Sequence, residues 1–373
     1  METSGSVPGS AVASEELSAL LRRPGPFATV YLCTEAEVDN AAQRTEQRWK
    51  NLRRDLLDLG APEDVAAAID PLVPDAHLSG MGLAVVVPAD GDPHVEHLPD
   101  PPEQDEARWG PLPALAPLLE SRQRRVPHVV ALVDRRGADL VAVGGDGPDV
   151  EVDQREVKGR QHPIQRSHPG GWSQRRFQQR VEATWEQNAR EVADEVARLV
   201  ERTDARLVLV AGDVRAAQLL CDSLPKDVQD LVRQVDGTRA ADGSEPITED
   251  EAATMVATAT AQETRQLLEK LNEERGQGDR AAAGLEAVAA AVSEARAAVV
   301  LVPADLDGAT LWFGAEPVPV ATSRQALTDL GGTEPQEGPA VDVLVRAALG
   351  TGAGLRVVPP AGAPGKVAAL LRW

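Results

Sequence analysis

"SHPGGWSQRRFQQRVEATWEQNAREV", residues 167–192, is the stretch on which the reading of the chain turns. The 373-residue chain has a formal net charge of −21. Yet from Arg155 to Arg180 it holds seven Lys or Arg (Arg155, Lys158, Arg160, Arg166, Arg175, Arg176, Arg180) against one acid, Glu156. That segment is +6 and the remainder −27. An evenly acidic surface repels a polyanion, whereas an acidic chain with one basic patch can meet a polyanion there and avoid it elsewhere. A solvated charge run is the plain alternative. Against it stand Gly170 and Gly171, which permit positive φ and close backbone approach to a partner. They lie just before a helix start, where N–H groups and the helix dipole favour phosphate. Ser173 would supply the cap hydroxyl. Arg175, Arg176 and Arg180 lie one to two turns in, away from Phe177 and Val181, and Trp172 is available to stack on a base.

Behind this tip, Phe177, Val181, Trp185, Val192, Val196 and Leu199 recur at helical spacing, so a helix with one buried face is expected from about Ser173 to about Glu201. Its length would be roughly 40 Å at 1.5 Å per residue. "GGDGPD" at 144–149 is a breaker and sets the expected boundary to the preceding domain. Before it, "FATVYLCT" and "MGLAVVVPA" read as strands, and "HVVALVD-RRG-ADLVAVGG" as an antiparallel hairpin. "DNAAQRTEQRWKNLRRDLLDLG" reads as a helix capped by Asn40 and stopped at Gly60, and "PEDVAAAIDPLV" as another. "PADGDPHVEHLPDPPEQDE", with His94 and His97, reads as a surface loop.

After the basic segment come a strand, "RLVLVAGD", and a helix, "VRAAQLLCDSLP". A long helical run follows from Thr248, its expected cap, crossing into the last domain. The remainder alternates: helix "RAAAGLEAVAAAVSEA", strand "AAVVLVPA", short strand "ATLWFG", helix "AVDVLVRAALGTG", strand "GLRVVP", and "GKVAALLRW". The expected organisation is a disordered leader at 1–14, an N-terminal α/β domain at 15–147, a middle domain at 148–258 and a C-terminal domain at 259–373.

The polar start lacks the basic head and apolar run of a signal peptide, and the longest apolar runs are strand-length, so a cytoplasmic protein without a membrane partner is expected. Cys33 and Cys221 are too few for a disulfide framework and read as small buried apolar residues. No His pairs with Cys at metal spacing, and no metal or cofactor is expected. "GTGAG" at 350–354 follows a helix and precedes a strand, the reverse of a dinucleotide fingerprint. "GQGDRAAAG" lacks the Lys-Ser/Thr of a phosphate loop.

"GGWSQRRFQQRVEATWEQNAREV" resembles the catalytic loop and helix of the archaeal and eukaryotic class-I peptide release factors, with Gly170, Gly171, Ser173, Arg176, Phe177 and Arg180 at matching positions. The last third, with "GLEAV", "AAVVLV", "LGTGAGLRVV" and "KVAALLRW", resembles the ribosomal-protein-like third domain shared with Pelota. The nearest likeness is to the bacterial branch of that family, which includes the hibernation factor Balon. The resemblance implies a three-domain α/β architecture with a projecting loop-helix in the middle domain and an L7Ae-like C-terminal domain. It also implies entry to the ribosomal A site near the peptidyl transferase region, with elongation factor Tu as a candidate partner and DNA excluded.

The family's catalytic Gln is replaced here by Trp172. An indole offers one N–H donor, no oxygen acceptor and far more bulk, so it cannot position the attacking water in the same way. The expectation is a ribosome-binding factor without peptidyl-tRNA hydrolysis and without a catalytic residue, a hibernation or protection factor. Its RNA contacts would be Gly170, Gly171, Trp172, Ser173, Gln174, Lys158, Arg160, Arg166, His168, Arg175, Arg176 and Arg180. A rescue or release enzyme acting through Gln174 is the second reading, and a protein scaffold using acidic faces the third. "RTEQRWKNLRR" adds a second basic stretch in the first domain, either an RNA contact or a solvated helix face. No stop-codon-reading motif is present.

Overall fold

A computed structural model describes residues 15–34, 40–74, 76, 81–98, 100–124, 127–144, 151–158, 171–235, 249–277, 280–303, 306, 308–358 and 366–373; the side chains of 171–183 and of several residues of 249–263 lie outside that description. The described residues form a mixed α/β fold with four sheets. The chain forms two compact units, one made of residues 1–124 with 263–373, the other of residues 125–262.

The first unit begins with α1 (Glu15–Leu21), β1 (Phe27–Cys33), α2 (Ala41–Asp58), α3 (Glu63–Ile69), β2 (Gly82–Pro88), β3 (His94–Leu98), β4 (Glu106–Gly110) and α4 (Ala116–Arg124). The strands form an antiparallel sheet in the order β3-β2-β1-β4. Both faces of β1 are covered, and its two-residue period separates them. Ala28, Val30 and Leu32 pack with Trp49, Leu52 and Leu56 of α2 and Val65 and Ile69 of α3. Phe27 and Tyr31 enter a second core with α1 and α4.

The second unit contains β5 (His128–Asp134), β6 (Gly137–Gly144), β7 (Glu151–Lys158), α5 (Gly171–Thr203), β8 (Leu207–Gly212), α6 (Val214–Ser223), α7 (Lys226–Gln229) and β9 (Val232–Gln234), followed by α8 (Glu249–Gln277), within which the division between units falls. Its sheet runs β7-β6-β5-β8-β9, with β5, β8 and β9 parallel and the β5–β6–β7 meander antiparallel. Val129, Ala131 and Val133 of β5 and Val208 and Val210 of β8 pack against Val192, Val196 and Leu199 of α5 and Leu220 of α6. The alternate residues Val130, Leu132, Leu209 and Ala211 pack on Met255 and Val256 of α8.

The last third returns to the first unit with β10 (Ala281–Ala283), α9 (Leu285–Ser293), β11 (Ala297–Val302), β12 (Thr310–Phe313), β13 (Val320–Ala321), α10 (Arg324–Asp329), β14 (Gln336–Pro339), α11 (Ala340–Gly350), β15 (Gly354–Val357) and β16 (Ala368–Leu371). They make a sheet β10-β16-β11-β15 and a smaller one β13-β12-β14. Leu267, Leu268 and Leu271 of α8 pack on Val299, Leu301 and Leu370. One core joins Leu115, Leu118 and Leu119 at α4 with Val300, Leu344 and Leu355. The buried Gln123 amide ties α4 to β15, donating to the Val357 carbonyl at 3.0 Å and accepting the Val357 N–H at 2.6 Å. Arg346 of α11 is also buried; it donates to the carbonyls of Gly314 (3.0 Å), Glu316 (2.9 Å) and Ala315 and lies over the Phe313 ring.

Several expectations are corrected. The boundary near 147 lies before β5: the hairpin 128–144 is paired to β7 and β8 and so belongs to the middle unit. Gly144 pairs with Glu151, so the glycine-rich stretch joins two neighbouring strands and is not a linker between domains. The first and last thirds share a core and form one compact unit, where separate domains were expected. His94 and His97 lie on β3, an edge strand flanked by prolines, and not in a loop. Burial holds the His97 imidazole below its usual pKa. "AAA" at 281–283 forms β10, because pairing to β16 overrides the helix preference of alanine. Both cysteines are half-buried where full burial was expected. Asn40 stands at the N-cap of α2 without a side-chain cap bond, and Gly60 closes that helix at φ +94°. Thr248, the leader 1–14 and residues 145–150 lie outside the described residues.

Candidate functional site

Two elements carry the basic segment. β7 delivers the chain outward, ending at Lys158, and α5 brings it back from Gly171. Among the described residues β7 stands at the sheet edge beside β6, and side-chain contacts supply its other fixings. An ion network makes the main one. Arg155 Nε and Nη2 each donate to the Asp153 carboxylate at 3.1 Å, and Arg155 Nη1 donates to Glu195 on α5. Arg202 of α5 reaches Asp153, and Arg198 pairs with Glu195 at 2.6 Å. Hydrogen bonds from Arg155 hold the Asp153 carboxyl below the usual carboxylate range. Glu195 is buried, while the arginines around it reach solvent. This arrangement places β7 against the last three turns of α5.

Arg155 is engaged with two carboxylates, and Lys158, whose side chain is 78% exposed, pairs with Glu156 at 2.9 Å. The other basic residues of the segment are Arg160, Arg166, Arg175, Arg176 and Arg180. Arg160, Arg166, His168 and Gly170 lie outside the described residues. Gly171, Trp172, Ser173, Gln174, Arg175, Arg176 and Arg180 are the opening turns of α5, described by backbone alone. The helix starts two residues earlier than expected. Ser173 is thus its third residue, not its cap, and Gly171 and Trp172 belong to the first turn instead of a loop. At 33 residues α5 is about 50 Å long. Among its described side chains, the first buried are Asn188 and Ala189.

Sequence reasoning missed a second feature of this unit. At the carboxyl ends of β5 and β8, a shallow cleft open to solvent lies between the β5–β6 turn, α5 and the start of α6. Its floor is Val133, Ala189, Val192, Ala216 and Leu220; its rim carries Arg135, Trp185, Asn188 and Arg215. The Arg135 guanidinium stands 4.8 Å over the Trp185 ring and pairs with Asp213 at 3.3 Å. Asn188, itself buried, donates to the Arg135 carbonyl at 3.3 Å. Asp213 caps α6 by accepting the N–H groups of Arg215 and Ala216. Gly212 makes the sharp exit from β8 at φ +122°, where a Cβ would run into the Val133 carbonyl. In the sequence Arg135 reads as a turn residue and Trp185 as one more member of a buried stripe; only the fold brings them together.

Among the described residues no helix is long and apolar enough to cross a membrane, and no group of three or more His, Cys, Asp or Glu could hold a metal ion.

Comparison with known proteins bears on the same region. Residues 127–277, which take in the five-stranded sheet, α5 and α8, match the model of the bacterial archaeo-eukaryotic release factor family 2. Two uncharacterized proteins of Mycobacterium tuberculosis, from strains CDC 1551 / Oshkosh and ATCC 25618 / H37Rv, are each 29% identical over 371 residues, covering 96% of either chain. Among solved structures, an archaeal translation termination factor is similar at 16% identity over 97% of this chain and 99% of its own, with a TM-score of 0.25. Archaeoglobus fulgidus Pelota is similar at 18% over 78% and 79%, TM-score 0.28. Saccharomyces cerevisiae Dom34 is similar at 8% over 69% and 66%, TM-score 0.37.

Proposed function

We propose that this protein is a ribosome-associated translation factor of the bacterial branch of the archaeo-eukaryotic release factors. In this reading it enters the A site tip first, without hydrolysing peptidyl-tRNA, and protects idle ribosomes. The family match of residues 127–277 supports the ribosome. Trp172 carries the rest: it stands where the family resemblance calls for the water-positioning Gln, and an indole N–H cannot accept a hydrogen bond from that water. Gly170, Gly171, Trp172, Ser173, Gln174, Lys158, Arg160, Arg166, His168, Arg175, Arg176 and Arg180 are the proposed RNA contacts. The L7Ae-like reading of the last third and elongation factor Tu as partner belong to the same proposal.

The test is pelleting of the protein with ribosomes through a sucrose cushion at two salt concentrations, beside a variant whose residues 168–176 are a Gly-Ser linker. The intact protein is expected to pellet, less so at the higher salt because phosphate contacts release counterions. The linker variant is expected to stay in the supernatant. An intact protein that stays in the supernatant at low salt would overturn the proposal.

Hydrolysis is the second reading, and Gln174, two residues from Trp172, is the residue that would carry it. Release of peptide from peptidyl-tRNA that vanishes in Gln174→Ala would establish it. We expect no release above the uncatalysed background from either protein.

A further inference from the structure

We propose that Arg135, Trp185 and Asp213 form a clamp that fixes the direction of α5 and so positions the basic tip for RNA, an inference that rests on the ribosome-associated reading above. The three are positioning residues and act through the helix. The Arg135 guanidinium lies 4.8 Å over the Trp185 ring of α5 and pairs at 3.3 Å with Asp213, which stands between β8 and α6. The Arg135 carbonyl accepts the Asn188 amide at 3.3 Å. One residue of the β5–β6 turn therefore holds α5 twice, by side chain and by carbonyl. Its two holds are three residues apart, on one face of the helix.

Both sides of the clamp are anchored to backbone. Asp134 accepts the N–H groups of Arg136 (2.6 Å) and Gly137 (2.9 Å), closing the turn that carries Arg135. Asp213 accepts the N–H groups of Arg215 (3.1 Å) and Ala216 (3.0 Å), and its own N–H donates to the Val133 carbonyl at 2.9 Å. Further along, α5 is held by apolar packing of Val192, Val196 and Leu199. Two separated attachments define an axis, where one alone leaves a pivot. The lever they control is long. Fourteen residues, Gly171 to Thr184, precede Trp185 in the helix, about 21 Å at 1.5 Å per residue. A swing of about 10° at Trp185 moves Gly171 by about 4 Å over that length. That is several times the ~0.5 Å range of hydrogen-bond lengths. The Arg135 side chain is 54% exposed, so its removal costs the fold little while freeing the lever.

The test combines a distance in the free protein with ribosome pelleting. Nitroxide labels are placed on Gln174→Cys and on Lys226→Cys, an exposed position of α7, in a chain whose Cys33 and Cys221 are changed to Ala. Double electron–electron resonance reads the distance between them. Arg135→Ala is expected to broaden that distribution by several ångströms while the urea midpoint barely moves. Trp185→Phe keeps a ring beneath the guanidinium and is expected to stay close to the parent, whereas Trp185→Ala broadens it. Unlabelled Arg135→Ala is expected to bind ribosomes about fivefold more weakly with the parent's salt dependence, because an ordering cost is added and no phosphate contact is lost. An unchanged distance distribution would overturn the clamp. A broadened distribution with undiminished pelleting would overturn its part in binding. Weaker pelleting with a salt dependence reduced by about one phosphate would make Arg135 an RNA contact and also overturn it. If the parent stays in the supernatant, the ribosomal reading fails, and the distances still decide whether the clamp holds α5.

Discussion

Asp342→Asn is expected to stabilise the protein at pH 8 by about 2–4 kcal/mol and to leave it nearly unchanged at pH 4. Asp342 sits in the first turn of α11 with its side chain 4% exposed. Burial pushes its carboxyl up to about 7, with the nearby Glu106 adding to the rise. Arg108 opposes the shift, but at 4.0 Å, and it is already paired to Glu106. In the unfolded chain the same group titrates near 3.8. The native state therefore holds the proton more tightly, and the stability that this confers is fully present below about pH 4. It declines as pH rises and is lost once pH passes about 7. Three pKa units correspond to about 4 kcal/mol, from which the helix dipole and the lost Arg108 contact subtract in the variant. The amide never ionises. Urea denaturation at pH 4 and pH 8 checks this: midpoints that differ between the pH values by the same amount in both proteins would show that Asp342 is not the titrating group.

Asp342 also illustrates what the sequence withholds. In "AVDVLVRAALG" the pattern predicts a helix, which the structure contains, but a helix buried on nearly every side looks locally like an amphipathic one with two charges on its polar face. Burial of Asp342 and Arg346 follows from the first third of the chain packing on the last, a non-local fact. Elements set by local pattern were legible: β1, β2, the β5–β6 hairpin, α2, α5, α6, β8 and α11 all lie where alternation or helical spacing put them. Those that failed have competing local signals. In "HVEHL" flanking prolines hide an edge strand, and in "AAA" alanine hides a strand that only β16 requires. The Gly-rich 144–149 stretch reads as a domain boundary, yet β7 pairs back on β6, so the stretch connects two strands of one sheet. For the site, the chain of basic residues and the helix behind it could be read directly. The cleft could not, because its residues come from 133–137, 185–192 and 215–220. The ion network could be seen only in part: Arg198 and Arg202 lie one and two turns along α5 from Glu195, but their convergence with Asp153 and Arg155 needs the strand to be placed.

That network gives the second large effect. Glu195→Gln is expected to destabilise the middle unit by about 1–3 kcal/mol, the range for removing a charged partner from buried or half-buried hydrogen bonds. The loss stays below the upper end for fully buried pairs because Arg155 and Arg198 reach water and recover part of their solvation. Hydrogen exchange should localise it: the amides of β7 are expected to exchange faster, while those of β5 and β8 in the centre of the sheet keep their protection. The consequence for ribosome binding has a sign that separates two accounts of the basic segment. If the segment acts only as a diffuse charge, removing a carboxylate beside it makes the region more positive and should raise affinity, most visibly at low salt. If the tip must be held by two fixed stems, β7 and α5, then loosening one adds an ordering cost to every binding event and affinity should fall despite the gain in charge. We expect the fall, of several-fold in the pelleting assay at constant salt, together with an unchanged salt dependence because no phosphate contact is removed. Tighter binding by Glu195→Gln would show that the mounting is irrelevant and that charge alone brings the tip to RNA.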